Sequence, residues 1–567
     1  MHTLTESQKA RHAIHQFKTL TDALALRGFY RPSGKFGKDL ESCLKNLSPE
    51  IYGSMNDPRV VELKGLEYVI DRLPRGIEEC SRIILTEEMP PENGPFEQLE
   101  PLKRRRTSYR VSEEEICMVI SRGLSEIYDI LTHMTFLFCE AKKIHARMKD
   151  DSDNISIEWN ELAHTVAHLE ELKENEIDQA LWNLSIILGR SYQETKETFS
   201  YLEKNKQRFG SNKGLFSLIF HLGTLVEKEA VSRKNALVIY LQPSLMNIIG
   251  HQRYGKVWAD DIKAQLLSLN LLTRPIHIIS ANLHSVVNLL YGFAALQGHA
   301  SADFAKDLYQ FVQQIRDSGD DIQTYARAHG LYTVEDRSGT HIDCQIIDAA
   351  MLEALPLHPH VSLTLPQSNH PKPVIIVMDY AFGTQAFELM ENLLKPYHDA
   401  DDTVFLNIKS IAIMGKAGIL TGKKGDIMLA TAHVFEGTSD NYIFNNDMHP
   451  DDFDAGVDVY EGPMVTVPGT SLQNRDVLQK FLDDWKTVGL EMEGGHYQRA
   501  ISAAVIKGNV PRDVTLRYAY YASDNPLMSG HTLAAGGMGE EGVKPTYMIT
   551  KLLLEKIFSA ATPCASS

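Results

Sequence analysis

Three acidic residues in the second half of the chain have the type and position to do chemistry. Glu491 and Glu493 flank Met492 in the run GLEMEGG, and Asp524 directly follows the apolar run LRYAYYAS. A carboxylate can accept both hydrogen bonds of a vicinal diol, and a thioether can pack on a sugar face. An aspartate in a partly desolvated site can act as a general acid. Taken singly, these acids are equally typical of a solvated acidic turn or an Asx turn.

Two glycine-containing segments add backbone donors. After the run SIAIMG, the stretch from Gly415 to Gly418 predicts a turn at which amides approach a ligand, and Lys416 adds a positive charge. The segment VIIVMDYAFGTQAFELMENLL predicts a strand, a turn containing Gly383 and a helix whose N-terminus faces an anion. Neither segment has the dinucleotide glycine fingerprint or a Walker lysine, so NAD-dependent and P-loop proteins are excluded.

The elements that must position these residues begin after about residue 270. Short apolar runs rich in β-branched residues alternate there with helical patterns, which predicts βαβ units around a mostly parallel sheet. The runs are 276–280, 374–379, 410–415, 426–432, 464–468 and 516–523. We therefore predict an α/β domain over residues 271–567, in which ligands bind beyond the carboxyl ends of the strands.

Residues 1–270 are expected to form a mainly α-helical domain. Ser112 and Glu115 form a capping-box pattern, and apolar residues then recur at spacings of three and four as far as Leu131, which predicts one long helix. A second helical stretch begins near Ile157. No constellation in this half connects to chemistry, so we assign it an assembly or regulatory role.

Composition narrows the function classes. The chain has 567 residues and a formal net charge of −17, which argues against broad binding to nucleic acids or anionic membranes. No apolar stretch is long enough to span a bilayer. The six cysteines are far apart and predict buried thiols in a reducing cytoplasm. We expect a soluble cytoplasmic protein.

Two further patterns have weaker functional interpretations. His164 and His168 lie four apart on a predicted helix, but the acid that a zinc peptidase needs between them is absent, so we expect no metal site. The basic run from Lys103 to Arg106 is able to bind phosphate, but in an acidic chain it is more typical of a solvated charge cluster.

Taken in order, the pieces of the second half resemble the nucleoside phosphorylase and nucleosidase superfamily, and within it the AMP nucleosidases. The resemblance rests on the glycine stretch with its trailing Asp426, the Glu-Met-Glu tripeptide and the Ser523-Asp524 pair. The segment RPIHIISANLHSVVNLLYG at 274–292 resembles the first strand and helix of that fold. The match spans residues 274–560, about half of the chain.

The resemblance implies roles for single residues. Glu493 matches the acid that binds the ribose hydroxyls, Met492 matches the residue packed on the sugar, and Asp524 matches the acid that protonates the leaving purine at N7. The substrate-binding set it implies is Glu491, Met492, Glu493, Gly415, Lys416, Gly383 and Ser523, and His284 is a stand-in for the family's water-activating glutamate. The ligand is then a purine nucleotide or nucleoside, no cofactor is needed, and a homo-oligomer is expected.

The departures from the family pattern leave three functions open. Lys416 stands where phosphorylases commonly have a phosphate-binding serine. Hydrolysis in the manner of an AMP nucleosidase is therefore favoured over phosphorolysis with inorganic phosphate. A non-catalytic protein that senses a nucleotide is the third possibility, and the identity of the base and of the 5′ group is open.

Overall fold

The computed structural model describes residues 4–91, 94–150, 152, 154–245, 253–296, 306–353, 355–363, 371–399, 402–528 and 539–560. The chain divides into two compact units. The first comprises Met1–His251 and Gly469–Val477, and the second comprises Gln252–Pro468 and Leu478–Ser567. Each unit contains both helices and a sheet, so the chain is mixed α/β in both halves.

The first unit combines eight helices of the described residues with a six-stranded sheet, so the prediction of a mainly helical domain overlooked the sheet. The helices are α1 (Glu6–Arg27), α2 (Lys35–Leu47), α3 (Leu63–Ile70), α4 (Leu124–His145), α5 (Ile157–Ala167), α6 (Glu174–Leu188), α7 (Tyr192–Phe209) and α8 (Leu215–Val231). The strands are β1 (Phe29–Tyr30), β2 (Arg82–Thr86), β3 (Glu97–Leu99), β4 (Ser108–Ser112), β5 (Glu115–Val119) and β6 (Val238–Leu241). Their order is β1-β6-β2-β5-β4-β3, and β6, β2 and β5 are parallel neighbours.

The predicted long helix from Ser112 is wrong in its first part. Strands β4 and β5 are antiparallel there, and the chain turns between them where the capping-box pattern was seen. Helix α4 begins only at Leu124, after Gly123 with a φ of +71°. Ile116 and Val119 are buried in β5. A short apolar run is compatible with a strand or a helix. Here the run forms strand β5 because it pairs with β2.

A short segment late in the sequence belongs to the first unit. Within Gly469–Val477, the hydroxyl of Thr470 lies 2.5 Å from the hydroxyl of Tyr68, and Asn474 Nδ2 donates to the carbonyl of Leu47 at 2.8 Å. The chain on both sides of this segment belongs to the second unit. The first unit is therefore discontinuous in sequence, which the predicted division at 270/271 did not include.

The second unit carries eight further helices and twelve strands among the described residues. Its helices are α9 (Arg253–Ser268), α10 (Leu283–Leu296), α11 (Leu308–Gln314), α12 (Gly319–Ala328), α13 (Gln385–Leu393), α14 (Arg475–Trp485), α15 (Gly494–Ile506) and α16 (Val543–Ala560). Its strands are β7 (Ile276–Ser280), β8 (Leu331–Val334), β9 (Cys344–Asp348), β10 (Val374–Met378), β11 (Tyr397–Asp399), β12 (Asp402–Val404), β13 (Ile408–Ile419), β14 (Ile427–Phe435), β15 (Asn441–Ile443), β16 (Val459–Thr466), β17 (Gly489–Glu491) and β18 (Thr515–Asp524).

The large sheet of this unit closes on itself at one end. Strand β13 pairs with β18, then β18 with β14, β14 with β16, β16 with β17 and β17 again with β13. Strands β10, β7, β13 and β18 are parallel neighbours, whereas β14, β16 and β17 run in the opposite direction. The sheet is therefore mixed, and most of its paired residues lie in parallel pairs, as expected. The connection from β13 to β14 is too short for a crossover helix, so β14 must run back.

Helices cover both faces of this sheet. One core cluster joins the sheet to α9, α13 and α15, and the other joins it to α10, α11, α12 and α16. Trp258, Ile262 and Leu266 of α9 belong to the first cluster. Helix α9 is therefore part of the second unit, which begins near residue 252. None of the helices in the described part of the chain has both the length and the apolar composition that crossing a bilayer requires.

The cysteines in the described part of the chain are free. Cys43, Cys80, Cys139 and Cys344 are buried, and Cys117 is half-buried. Cys564 lies outside the described residues.

Candidate active site

The carboxyl ends of β10, β7, β13 and β18 lie side by side at one edge of the sheet, because these strands are adjacent and parallel. Residues 281–284 follow β7, residues 379–384 follow β10 and Asn525 follows β18. In α/β sheets, this edge is where ligands bind. Most of the residues singled out in the sequence lie in or beside these segments.

The carboxylate of Glu491 holds the N-terminus of α15. It is 6 % exposed, and its two oxygens accept the backbone N–H groups of Glu493 and Gly494 and the hydroxyl of Thr466. Nδ1 of His433 lies 3.4 Å from Glu491 Oε1. Burial alone would raise the pKa of Glu491, but His433, Thr466 and the amide of Gly494 hold this pKa below its ordinary value. Glu491 therefore stays ionised and fixes the chain around it.

Close packing requires the two glycines that follow Glu493, namely Gly494 and Gly495. A Cβ atom at Gly494 would lie 2.1 Å from the hydroxyl of Tyr520 and 2.5 Å from Cε1 of His433. A Cβ atom at Gly495 would lie 2.4 Å from Oγ1 of Thr466. Neither position accepts a larger residue without movement of its neighbours.

Glu493 is half-buried at the N-cap position of α15 and meets the turn after β10. The backbone N–H of Gly383 donates to Glu493 Oε1 at 2.8 Å. Gly383 has a φ of +55°, in the region that favours glycine, and Gln385 Oε1 accepts the N–H of Phe382 beside it at 3.1 Å. The sequence predicted that this turn offers an amide to an anion, and in the structure the anion is the Glu493 carboxylate. Met492, between the two glutamates, is 8 % exposed.

Gly415 and Lys416 lie within a strand, so the predicted turn from Gly415 to Gly418 is wrong. Strand β13 continues to Ile419 because its end pairs with both β17 and β18. Gly415 is buried, and the ring of Tyr380 packs 3.4 Å from where its Cβ would be. Lys416 is exposed. Because neighbouring residues of a strand face opposite sides, it lies on the face opposite to Gly415.

Asp524 ends β18 and is buried, with 6 % exposure. It pairs with Gly418 after an irregularity in the register, which inserts Ser523. The Ser523 hydroxyl donates to Asp524 Oδ1 at 2.5 Å and lies 3.2 Å from the carbonyl oxygen of Ala417. Asn525 anchors the next turn, since its Nδ2 donates to the carbonyl of Gly422 at 2.8 Å. The side chain of Asp524 is thus held at the end of its strand.

His284 lies in the first turn of α10, just after β7. Asn282 Oδ1 accepts the N–H of Ser285 at 2.8 Å and caps this turn. The side chain of His284 is exposed, but loss of solvent around its ring lowers its pKa, the positive charge of Arg316 lowers it further, and Asp379 opposes both. The structure therefore places His284 at the same edge of the sheet, with Arg316 and Asp379 as its electrostatic neighbours.

Sequence reasoning missed several tyrosines around this edge. The hydroxyl of Tyr380 lies 3.4 Å from that of Tyr521, and the hydroxyl of Tyr497 lies 3.0 Å from Ser280 Oγ. Burial and the charge of Glu491 keep the pKa of Tyr520 well above its ordinary value. For Tyr520 and Tyr521 the signal was the aromatic run in β18, which is equally typical of a buried core.

The two histidines considered as metal ligands stack on each other. The rings of His164 and His168 are 4.4 Å apart, and Nδ1 of His168 lies 3.0 Å from the carbonyl oxygen of His164. Over the described ranges, no group of three or more His, Cys, Asp or Glu side chains is arranged to hold a metal ion.

The fold and the edge just described define an α/β protein with a candidate ligand site at the ends of its parallel strands. The chain belongs to a family of unknown function, DUF6909, whose model matches residues 38–315 and 304–559. A search of the curated proteins gives no match.

Solved structures similar to about half of this chain include two hydrolases and a phosphorylase. A 5′-methylthioadenosine/S-adenosylhomocysteine nucleosidase of Campylobacter jejuni is 11 % identical over 50 % of this chain and 99 % of its own, with a TM-score of 0.30. A futalosine hydrolase of Helicobacter pylori is 11 % identical over 50 % and 98 %, with a TM-score of 0.29. A purine nucleoside phosphorylase of Toxoplasma gondii is 14 % identical over 51 % and 93 %, with a TM-score of 0.28. At these values, the likeness adds nothing to the argument about activity.

Proposed function

We propose that the second unit cleaves the N-glycosidic bond of a purine nucleotide or nucleoside by hydrolysis. The observation that carries the proposal is the 2.8 Å hydrogen bond from Gly383 to Glu493, because it joins two motifs that lie 110 residues apart. Asp524 is buried at the end of β18, which is parallel to β13 in the same sheet. The ordered resemblance of these motifs to the nucleoside phosphorylase and nucleosidase superfamily supports the same function.

The two acids have different roles in this proposal. Glu493 accepts hydrogen bonds from the ribose hydroxyls, with Met492 against the sugar, and Asp524 contacts the base. Asp524 pairs with Gly418 near the end of β13. The sugar and the base would then lie along the end of β13.

The chemistry follows from this placement. The bond between sugar C1′ and purine N9 breaks as Asp524, in its acid form, transfers a proton to N7, so that the base leaves as a neutral molecule. Water adds to C1′, and the proton that it releases restores the acid. The carboxylate of Glu493 stabilises the positive charge that develops on the sugar. His284 is the candidate for orienting the water.

Glu491 takes a positioning role in the proposal. Its carboxylate accepts the N–H groups at the start of α15, so it holds Glu493 in place without a need to touch substrate. Ser523 has the same relation to Asp524, because its hydroxyl donates to Asp524 Oδ1. Gly415 leaves room for Tyr380 beside the sugar.

The test is the release of free base, measured by chromatography. The purified full-length protein is incubated with AMP, GMP, IMP and their nucleosides, each with and without inorganic phosphate. We expect base without added phosphate, and a loss of about 100-fold or more in Asp524→Asn, because general acid catalysis contributes at least that much. Asp513→Asn, at an exposed acid just before the same strand, is the matched control. Base release by Asp524→Asn at the wild-type rate would refute the assigned role.

Two alternatives predict different results in the same assay. Strict dependence on inorganic phosphate would establish a phosphorylase, in which Lys416 or another group binds phosphate. Binding of a nucleotide without release of base from any substrate would favour a sensor. The homo-oligomer implied by the resemblance stays a prediction, which sedimentation velocity of the full chain can check.

A further inference from the structure

Half of the basic run of the first unit is withdrawn from solvent, contrary to the expectation of a solvated cluster: Arg106 is buried and Arg104 is half-buried. Arg106 is 2 % exposed and donates to Glu126 Oε1 at 2.9 Å and to Asp129 Oδ2 at 3.1 Å. Arg104 also pairs with Asp129, at 3.3 Å. Lys103 and Arg105 are exposed. The fold therefore buries Arg106 and partly buries Arg104, which the charge composition of the chain did not predict.

The run lies at the carboxyl edge of the parallel strands of its unit. Strand β5 ends at Val119, a short loop containing Arg122 follows, and the long helix α4 begins at Leu124. Strand β4 is antiparallel to β5, so the residues just before β4, which include Arg104 and Arg106, lie at the same end. In α/β sheets, this edge and the helix N-terminus beside it form the usual place for an anion.

Two buried guanidinium groups at this edge lack a partner for Nε among the described residues. Arg122 is 7 % exposed and Arg72 is 3 % exposed, and Nε of each has no hydrogen-bond acceptor. Arg72 stacks 3.4 Å over the ring of Tyr68. Burial lowers the pKa of Arg122 to about 10, against the opposing charge of Glu126. Nη1 of Arg72 donates to the carbonyl oxygen of Tyr68 at 2.8 Å, so the unmet donors are the two Nε groups. A buried donor without an acceptor is costly unless a ligand supplies one.

Among the residues that the structure describes, the charge at this edge is positive. Five arginines, Arg72, Arg104, Arg105, Arg106 and Arg122, stand against three carboxylates, Glu87, Glu126 and Asp129. The neighbouring Lys103 is matched separately, because its Nζ lies 2.8 Å from Asp71. The carboxylates of Glu126 and Asp129 are already engaged with Arg104 and Arg106. Glu126 faces Arg122, and Asp129 and Asp71 face Arg72, but each of these carboxylates is shared with another cation.

We propose that this edge of the first unit binds a phosphate group between Arg122, Arg72 and Arg104, as inorganic phosphate or as part of a phosphate-bearing small molecule. Guanidinium groups match phosphate oxygens in a two-point geometry, and the N-terminal end of α4 adds a favourable potential. The site is separate from the candidate active site of the second unit and does not depend on its function.

Thermal unfolding and calorimetric titration of the full-length protein test this site. Inorganic phosphate and AMP are titrated separately at constant ionic strength into the wild type, Arg122→Gln and the exposed control Arg208→Gln. We expect both probes, or inorganic phosphate alone, to raise the Tm of the wild type and of Arg208→Gln. In Arg122→Gln the affinity falls about tenfold or more, because a charge-assisted contact is lost.

The unliganded variant gives a second readout. Without phosphate, Arg122→Gln should unfold at the same temperature as the wild type or higher, since the substitution removes a buried charge whose Nε has no acceptor. If Arg122→Gln does not fold, Arg105→Gln at the exposed rim replaces it, with a several-fold weaker affinity expected. If AMP still raises the Tm of Glu493→Gln but no longer raises that of Arg122→Gln, AMP binds at the first unit.

Two results would overturn the proposal. The first is no shift of the wild type with either probe, and the second is an equal shift of the wild type and Arg122→Gln. A shift that Glu493→Gln abolishes and Arg122→Gln keeps would place the phosphate in the second unit, which also counts against the site proposed here.

Discussion

Replacing Glu491 with glutamine tests whether one buried carboxylate holds the N-terminus of α15. The side chain accepts the backbone N–H groups of Glu493 and Gly494 and the hydroxyl of Thr466, and it lies 3.4 Å from His433 Nδ1. Glutamine has nearly the same shape but no charge, and one of its two oxygens becomes an NH2 group that faces donors. The substitution therefore removes the charge of the side chain and leaves its packing nearly unchanged.

The expected loss follows from these contacts. A hydrogen bond to a charged group contributes about 1.5–3 kcal/mol, and a donor left buried without an acceptor costs about as much again. Loss of the charge from three such bonds, with one donor left facing NH2, predicts a destabilisation of about 3 kcal/mol. For a unit of this size, that corresponds to a fall of about 5 °C in the Tm of the second unit.

The loss should also depend on pH. The native pKa of Glu491 lies below the ordinary value of 4.5, so the ionised carboxylate contributes its full stability above that pH. The contribution is lost as the pH falls through the native pKa. The difference between the wild type and Glu491→Gln is therefore largest at neutral pH and shrinks on acidification below 4.5.

Scanning calorimetry measures the Tm, and hydrogen exchange of the peptides over 489–506 reports directly on the start of α15. Glu461→Gln, at an exposed position in the neighbouring strand β16, is the control and should change little. A loss below about 1 kcal/mol, or one equal to that of the control, would refute the reasoning, since it would show that the carboxylate does not hold the helix. A difference that stays constant from neutral pH to below 4.5 would refute the ionic part of it.

Two other substitutions give sharp expectations. Gly494→Ala should destabilise the second unit by about 1–3 kcal/mol or more in urea unfolding. The reason is that its Cβ would lie 2.1 Å from the Tyr520 hydroxyl and 2.5 Å from His433 Cε1. The control is Gly319→Ala, whose Cβ would have nothing within 4 Å and which should leave the free energy of unfolding nearly unchanged. Burial raises the pKa of Glu78 to about 7 from 4.5, so between these values the native first unit keeps a proton that the unfolded chain releases, and its stability falls as the pH rises. Glu78→Gln should remove this fall of about 3 kcal/mol, as measured by thermal unfolding across that range, and an unchanged slope would contradict the assignment.

The strands that position the candidate site could be predicted from the sequence. Strand β7 coincides with the apolar run at 276–280, and β10 and β18 lie within a residue of their runs. Strands covered by helices on both faces are continuous apolar segments, so the sequence alone indicates where they are. The residues after them, Gly383 and Asp524, were therefore found without knowledge of the fold.

Other features depended on pairings that a single sequence does not contain. The stretch after Gly415 reads as a turn because of its glycines, yet it continues as strand because β17 and β18 both bind to it. The spacing of Glu491 and Glu493 indicated that only one could face a ligand, but not which one. In the structure, Glu491 accepts the amides of Glu493 and Gly494, which come near it only once α15 has formed. In the first unit, β5 was taken for helix because its partner β2 lies far away in sequence.

The discontinuity of the first unit has a consequence for how the chain can be made and divided. A ribosome that has released residues 1–251 has not yet synthesised Thr470, whose hydroxyl meets that of Tyr68, or Asn474, which binds the carbonyl of Leu47. The first unit can therefore complete its folding only after most of the second has emerged. No single cut separates the two, and a fragment ending at residue 251 would lack the hydroxyl beside the tyrosine on which Arg72 stacks.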